Sequence, residues 1–279
     1  MSDLTTHGVR ESHRNCDPFD ANVEEIQRVG YTVIDSGYSP KELQLIRIKI
    51  DAIYDVQVRE IGGEDKLKAI KDLDLARGLI AYDHYFLNLA IHPGVMAITR
   101  KLLGEVFVLM SQNGIINRPV DQHYQVTWHR DLNYQHFVSS RPLAVSALFV
   151  IDDFSELTGG TYVLPASHKL EAFPSTEYAL KHQKQVEASA GSILVFDAML
   201  YHRAGDNRSP AVRRGVNHTY TLPLIKQQIS FPRMLAGKFS EDSFLRLLLG
   251  YEHETDDGVQ AWRERKLRSA SALGASVRA

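Results

Sequence analysis

Two spacings of apolar residues divide the chain. Up to about residue 104 the apolar side chains recur every three or four positions; beyond it they fall in short runs rich in β-branched and aromatic residues. Asn22 opens a short helix through Arg28, Gly30 stops it, and Tyr31-Thr-Val-Ile34 reads as a strand. Ser39-Pro40 followed by Glu42 is a helix start: Ser caps, Pro fits the first turn and Glu meets the positive end of the dipole. Leu43, Ile46, Ile50 and Ile53 keep helical spacing to about Arg59. Residues 64–103 carry further helical segments, with Pro93 opening one and Gly104 closing it.

Segments 105–110, 115–117, 122–131, 143–151, 161–164, 185–187, 192–196 and 215–222 read as strands, with Gly, Pro, Asn and Asp between them. Strands of this length and number predict a sandwich or jelly roll. The fold class is therefore mainly β with helices (α+β), a β core backed by a helical N-terminal layer. Residues 1–20 lack apolar periodicity and read as a loose leader. Residues 21–269 form one domain that ends in helices near 241–250 and 262–268, and 270–279 read as a frayed tail.

Composition narrows the function classes. Lys and Arg number 32 against 34 Asp and Glu, which excludes the basic footprint of a nucleic-acid binder. The single cysteine, Cys16, makes neither an internal disulfide nor a thiolate cluster, so a metal here must be held by His and carboxylates. The leader lacks the apolar stretch of a secretion signal, and the longest apolar runs are far shorter than a membrane span. The expectation is a cytoplasmic protein with a small-molecule partner, and with neither nucleic acid nor membrane.

His129-Arg-Asp131 ends the strand-like run 122–131, and alternation would put His129 and Asp131 on one face. A chain with 12 His carries about one His-x-Asp by chance, so the triplet alone says little. Downstream, the strand from Gly191 leads to His202, which a jelly roll can bring beside the first pair. Two His and one carboxylate form the facial triad of non-haem Fe(II) oxygenases. Eleven residues on, Arg213 and Arg214 open a strand on which Arg213, Gly215, Asn217 and Thr219 share a face. That strand has no acidic partner for an inward guanidinium. Parity favours Arg213; a bulge would exchange it for Arg214.

Taken together, His129-x-Asp131, Gly159-Gly-Thr-Tyr-Val-Leu-Pro-Ala-Ser-His-Lys169, His202-Arg-Ala-Gly-Asp-Asn-Arg-Ser209 and Arg213-Arg214 resemble the phytanoyl-CoA dioxygenase family. The resemblance extends over about 22–225 and includes the Gly30-to-Leu43 opening. It implies a double-stranded β-helix, with Fe(II) as metal and 2-oxoglutarate and O2 as co-substrates. It also implies His129, Asp131 and His202 as iron ligands, Arg213 on the far carboxylate of 2-oxoglutarate and Ser146 as a further co-substrate contact. Gln112, Gln135 and Asn217 fall where some relatives contact substrate. Asn113, Asn117, Arg118, Tyr134 and His136 are other polar groups near the expected mouth, which points to a polar metabolite. Arg203 and Ala204 depart from the usual Gly and Ser after the second histidine. Because Asp131 is kept, the resemblance implies a hydroxylase rather than a halogenase.

The competing readings are a ligand-binding jelly roll without redox chemistry, oxidation of an acyl-CoA or lipid, and a zinc or serine hydrolase. The hydrolases lack a visible His-Glu-x-x-His or Gly-x-Ser-x-Gly. His123, His136 and His218 read as neighbours of the site or surface residues. Gly159-Gly160 reads as a tight turn, and Ser167-His168-Lys169 as a turn that need not touch the chemistry.

Overall fold

A computed structural model describes residues 6–10, 15–119, 126–133 and 135–276. The helical layer comprises α1 (Asp20–Val29), α2 (Pro40–Ile61), α3 (Glu64–Ala69), α4 (Leu79–Tyr82), α5 (Phe86–Ala90) and α6 (Pro93–Leu103), interrupted by β1 (Tyr31–Asp35) and β2 (Leu75–Arg77). The β core follows as β3 (Val108–Asn117), β4 (Ala144–Val150), β5 (Tyr162–Val163), α7 (Thr176–His182), β6 (Lys184–Gln185), β7 (Ser192–Asp197), β8 (His202–Arg203) and β9 (Arg213–Thr221). Helices α8 (Phe231–Leu235), α9 (Ser243–Leu248) and α10 (Val259–Ser276) close the chain. Among the described residues no helix is long and apolar enough to cross a membrane.

The strands form an antiparallel six-stranded sheet, β1-β7-β4-β9-β3-β2, facing a three-stranded sheet, β6-β5-β8. This is the jelly-roll core, a double-stranded β-helix. Alternation divides the large sheet into two faces. Val145, Ala147, Phe149, Val195, Val216 and Tyr220 pack against the helices together with Ile26, Ile46 and Ile50. Burying an isoleucine such as Ile46 or Ile50 contributes roughly 1.5–3 kcal/mol. Leu148, Val150, Leu194 and Phe196 face the small sheet and meet Phe154, Val163, Val186 and Leu200 there. The helix start at Ser39 is a full capping box: Glu42 N donates to Ser39 Oγ at 3.4 Å and Ser39 N donates to Glu42 Oε2 at 2.8 Å.

Several expectations change. The runs 105–110 and 115–117 are one strand, β3, whose register shifts between Leu109 and Ser111. Of the expected strand 122–131, residues 122–125 lie outside the described residues, and 126–131 form an isolated bridge from His129 to His202 rather than a strand. Strand β2 lies in the region expected to be helical, paired to β3. Helix α10 runs through residues 270–276, where fraying was expected.

Candidate active site

Two backbone straps bring the histidines together. His129 N donates to His202 O and His202 N to His129 O, both at 3.0 Å, while Asp131 N donates to Ala198 O at 3.0 Å. The bridge does what a longer strand was expected to do, and puts both side chains on one side. Between them Arg130 points the other way, into a nest of carbonyls. Its Nε donates to Met199 O (2.8 Å), Nη1 to Glu171 O (3.1 Å), and Nη2 to Ser167 O (3.2 Å) and Leu170 O. Sequence reasoning passed over Arg130, although the alternation that joins His129 to Asp131 also turns the residue between them to the opposite side.

Each imidazole is oriented by a carbonyl two residues earlier. His129 Nδ1 donates to Thr127 O and His202 Nδ1 to Leu200 O, both at 2.9 Å. A carbonyl only accepts, so Nδ1 carries the proton and Nε2 is left as a free donor atom. His202 Nε2 lies 3.5 Å from Asp131 Oδ1, and one donor atom from each of His129, Asp131 and His202 falls within 4.8 Å of the others. Burial, reinforced by His202, pushes the His129 pKa down to about 4. Burial alone would raise Asp131, but His202, His129 and the Ser146 hydroxyl hold it well below the usual carboxylate range. Burial works against the charged form of His202 as well, yet the Asp131 carboxylate keeps its pKa above the ordinary value. The donor set, one anion and two imidazoles aimed at a common point, suits a divalent iron.

Arg213 lines the same cavity, with Ile115, Leu148, Thr161, Phe196, Ala204 and Asn217. It is buried, its Nε donates weakly to Thr158 O at 3.4 Å, and its Cζ sits 4.3 Å from the Phe154 ring centre. Nη2 is buried with no partner among the described residues. Burial pushes its pKa down to about 10, which still leaves it charged at neutral pH. A buried, under-bonded guanidinium calls for an anion with paired oxygens, and the far carboxylate of 2-oxoglutarate fits. Arg214 faces the opposite way, to Asp51 at 2.8 Å and Asp152 at 3.3 Å.

The glycine pair makes this wall possible. A Cβ at Gly159 (φ 75°) would lie 2.4 Å from Gly205 O, and one at Gly205 would lie 2.6 Å from Gly160 O. Only backbone fits between this turn and the segment after His202, and the turn presents Thr158 O to Arg213. The neighbouring Ser167 turn supports the segment before His202, because Tyr201 N donates to Ser167 Oγ at 2.9 Å.

The remaining expected contacts separate. Ser146 Oγ and Asn217 Nδ2 both donate to Asp131 Oδ2, at 2.5 and 3.2 Å. Gln112 is not brought to the site. It lies on the helix-facing side of β3, where Nε2 donates to Phe86 O and to His218 Nε2 and Oε1 accepts from Ile80 N. His218 is buried there too, its pKa pushed down to about 3 by burial. Gln135 sits in the turn after Asp131, its Nε2 on Phe137 O at 2.8 Å and its Oε1 buried without a partner among the described residues. Asn117 and Arg118 are tied to Gly205 O and to Asp74 and Glu64. Arg203 lies between the Trp128 and Tyr162 rings rather than in the cavity. His123 and Tyr134 are outside the described residues.

The profile of the phytanoyl-CoA dioxygenase (PhyH) family matches residues 26–215. The chain belongs to the phytanoyl-CoA dioxygenase family. It is a non-haem Fe(II)- and 2-oxoglutarate-dependent dioxygenase, which sets aside the binding-only and hydrolase readings. An uncharacterised protein of Mycobacterium tuberculosis is 32% identical over 214 residues, 74% of this chain and 77% of its own. Ectoine dioxygenase of Stutzerimonas stutzeri is 23% identical over 230 residues, 71% of this chain and 75% of that one. The crystal structure of EctD from S. alaskensis with 2-oxoglutarate and 5-hydroxyectoine shares the fold. Its TM-score is 0.60 at 17% identity, over 78% of this chain and 80% of that one.

Proposed function

We propose that this dioxygenase hydroxylates an unactivated C–H bond of a small polar metabolite. One atom of O2 enters the substrate as hydroxyl; the other enters succinate as 2-oxoglutarate loses CO2. The observation that carries the reading is Arg213, a buried guanidinium whose Nη2 has no partner among the described residues, on the cavity that also holds the His129, Asp131 and His202 donor atoms.

In this reading His129 Nε2, His202 Nε2 and Asp131 Oδ1 hold Fe(II), which when bound supplies the activation of O2 and of the keto acid. The carbonyls of Thr127 and Leu200 keep both imidazoles in the binding tautomer. Arg213 receives the far carboxylate and sets the orientation of the keto acid, while Ile115, Leu148 and Phe196 keep water from that end. A polar substrate is supported by Asn113, register partner of Asn217 on the same face of the sheet, and by Ser111 beside it. Met110, Leu132, Leu143 and Met199 form an apolar cluster next to Asp131, suited to the rest of the substrate.

Anaerobic addition of Fe(II) and then 2-oxoglutarate should produce the weak visible charge-transfer band of the chelate. A panel of polar metabolites should then reveal one that stimulates succinate release. A missing band, or turnover confined to simple fatty acyl chains, overturns the reading.

A further inference from the structure

Two hydrogen bonds converge on one oxygen of Asp131, the one turned away from the imidazoles. Ser146 Oγ donates to Oδ2 at 2.5 Å, and Asn217 Nδ2 donates to the same atom at 3.2 Å. With its only proton committed, the Ser146 hydroxyl must accept from Thr219 Oγ1, 3.3 Å away. The chain of donors thus runs Thr219 to Ser146 to Asp131. Ser146, Thr219 and Asn217 are held by adjoining strands: Ser146 on β4 is the register partner of Thr219 on β9, and Asn217 is two residues along the same face. A carboxylate oxygen accepts through two in-plane lone pairs, and both are occupied on Oδ2. Oδ1, at 3.5 Å from His202 Nε2, is the oxygen left for a metal.

This matters for the number of open positions. An octahedral iron held by two imidazoles and one carboxylate oxygen keeps three positions: two for the keto acid and one for O2. A carboxylate free to swing would bring its second oxygen onto the metal and take one of them. We propose that Ser146 and Asn217 are positioning residues that restrict Asp131 to one-oxygen coordination and so keep the co-substrate's positions open. The proposal rests on the reading of His129, Asp131 and His202 as the iron ligands. It reassigns Ser146 and Asn217, expected from the sequence to touch co-substrate and substrate, to the metal's own carboxylate.

The test compares the wild-type protein with Ser146→Ala, Asn217→Leu and the double variant. Ser146→Ala removes a single oxygen, and Asn217→Leu keeps the branched shape with the same number of side-chain heavy atoms, so the sheet is preserved. Each protein is titrated anaerobically with Fe(II) and then with 2-oxoglutarate, by calorimetry and by the visible band. In each single variant the 2-oxoglutarate dissociation constant should rise about tenfold, the scale of one charge-assisted hydrogen bond, and further in the double variant. Iron affinity should stay within about threefold, because the freed Oδ2 offsets the lost support. Unchanged 2-oxoglutarate affinity overturns the proposal. So does a parallel fall in iron affinity, 2-oxoglutarate affinity and melting temperature, which marks a merely structural role. A wild-type protein that takes up no iron overturns the ligand assignment and this proposal with it.

Discussion

Replacing Arg213 with methionine separates what the guanidinium does for the fold from what it does for the reaction. Among the described residues of the ligand-free protein, Arg213 is a buried charge with one long hydrogen bond to Thr158 O and an unpartnered Nη2. Methionine fills similar space without a charge to desolvate, and exchanges of this kind are often neutral or stabilising by about 1–4 kcal/mol. The ligand-free Arg213→Met variant should therefore melt at or above the wild-type temperature. With co-substrate the order reverses. Losing the partner of a buried carboxylate costs about 2–5 kcal/mol, which raises the 2-oxoglutarate dissociation constant roughly 30- to 5,000-fold. At 100 times its dissociation constant a ligand stabilises the folded state by about 2.7 kcal/mol. For a chain of this size that is a melting shift of about 5 °C in the wild type, and in the variant at most about a third of that, falling to none at the upper end of the range. Thermal melts of the metal-loaded proteins with and without 2-oxoglutarate measure both effects. Equal co-substrate shifts in the two proteins would refute the reasoning, as would loss of metal binding from the variant.

Asp131→Ala and His202→Ala should each abolish stoichiometric Fe(II) binding and succinate formation with the β core intact, checked by metal titration beside circular dichroism. Asp197 is buried and its pKa is pushed up to about 6 by that burial, partly offset by its bond from Met199 N. The folded state thus favours the protonated acid: the stabilising contribution is present below about pH 4 and lost as pH rises through about 6. Asp197→Asn keeps the acceptor for Met199 N, so it should stabilise by roughly 1–3 kcal/mol at pH 7.5 and by little at pH 4, as paired melts would show. Ser39→Ala breaks the capping box of α2 and should cost about 1 kcal/mol in denaturant melts, without altering iron or 2-oxoglutarate affinity.

Much of the site was legible because local rules governed it. His129 and Asp131 share a side because they are two residues apart in extended chain, and Arg213 faces the cavity because β9 keeps strict alternation from Arg213 to Thr221. Gln112 was misplaced for a related reason. Most of β3 is buried on both faces, and its register shifts between Leu109 and Ser111, so hydrophobic pattern does not say which side Gln112 takes. Similarly, β2 is three residues long and pairs only because β3 exposes an edge there.

The amino-acid order by itself determined the helical layer, the strand-rich core, the shared side of His129 and Asp131 and the strand parity that favours Arg213 over Arg214. Each depends on periodicity or capping within a few residues, where backbone geometry leaves little choice. Tertiary structure alone decided that Ser146 and Asn217 close on Asp131, that Arg130 gathers carbonyls from segments about 40 and 69 residues away, and that none of the described residues satisfies Arg213 Nη2. Those contacts join strands and loops distant along the chain, and only the pairing of β4 with β9 and the packing of one sheet on the other bring their atoms within bonding distance.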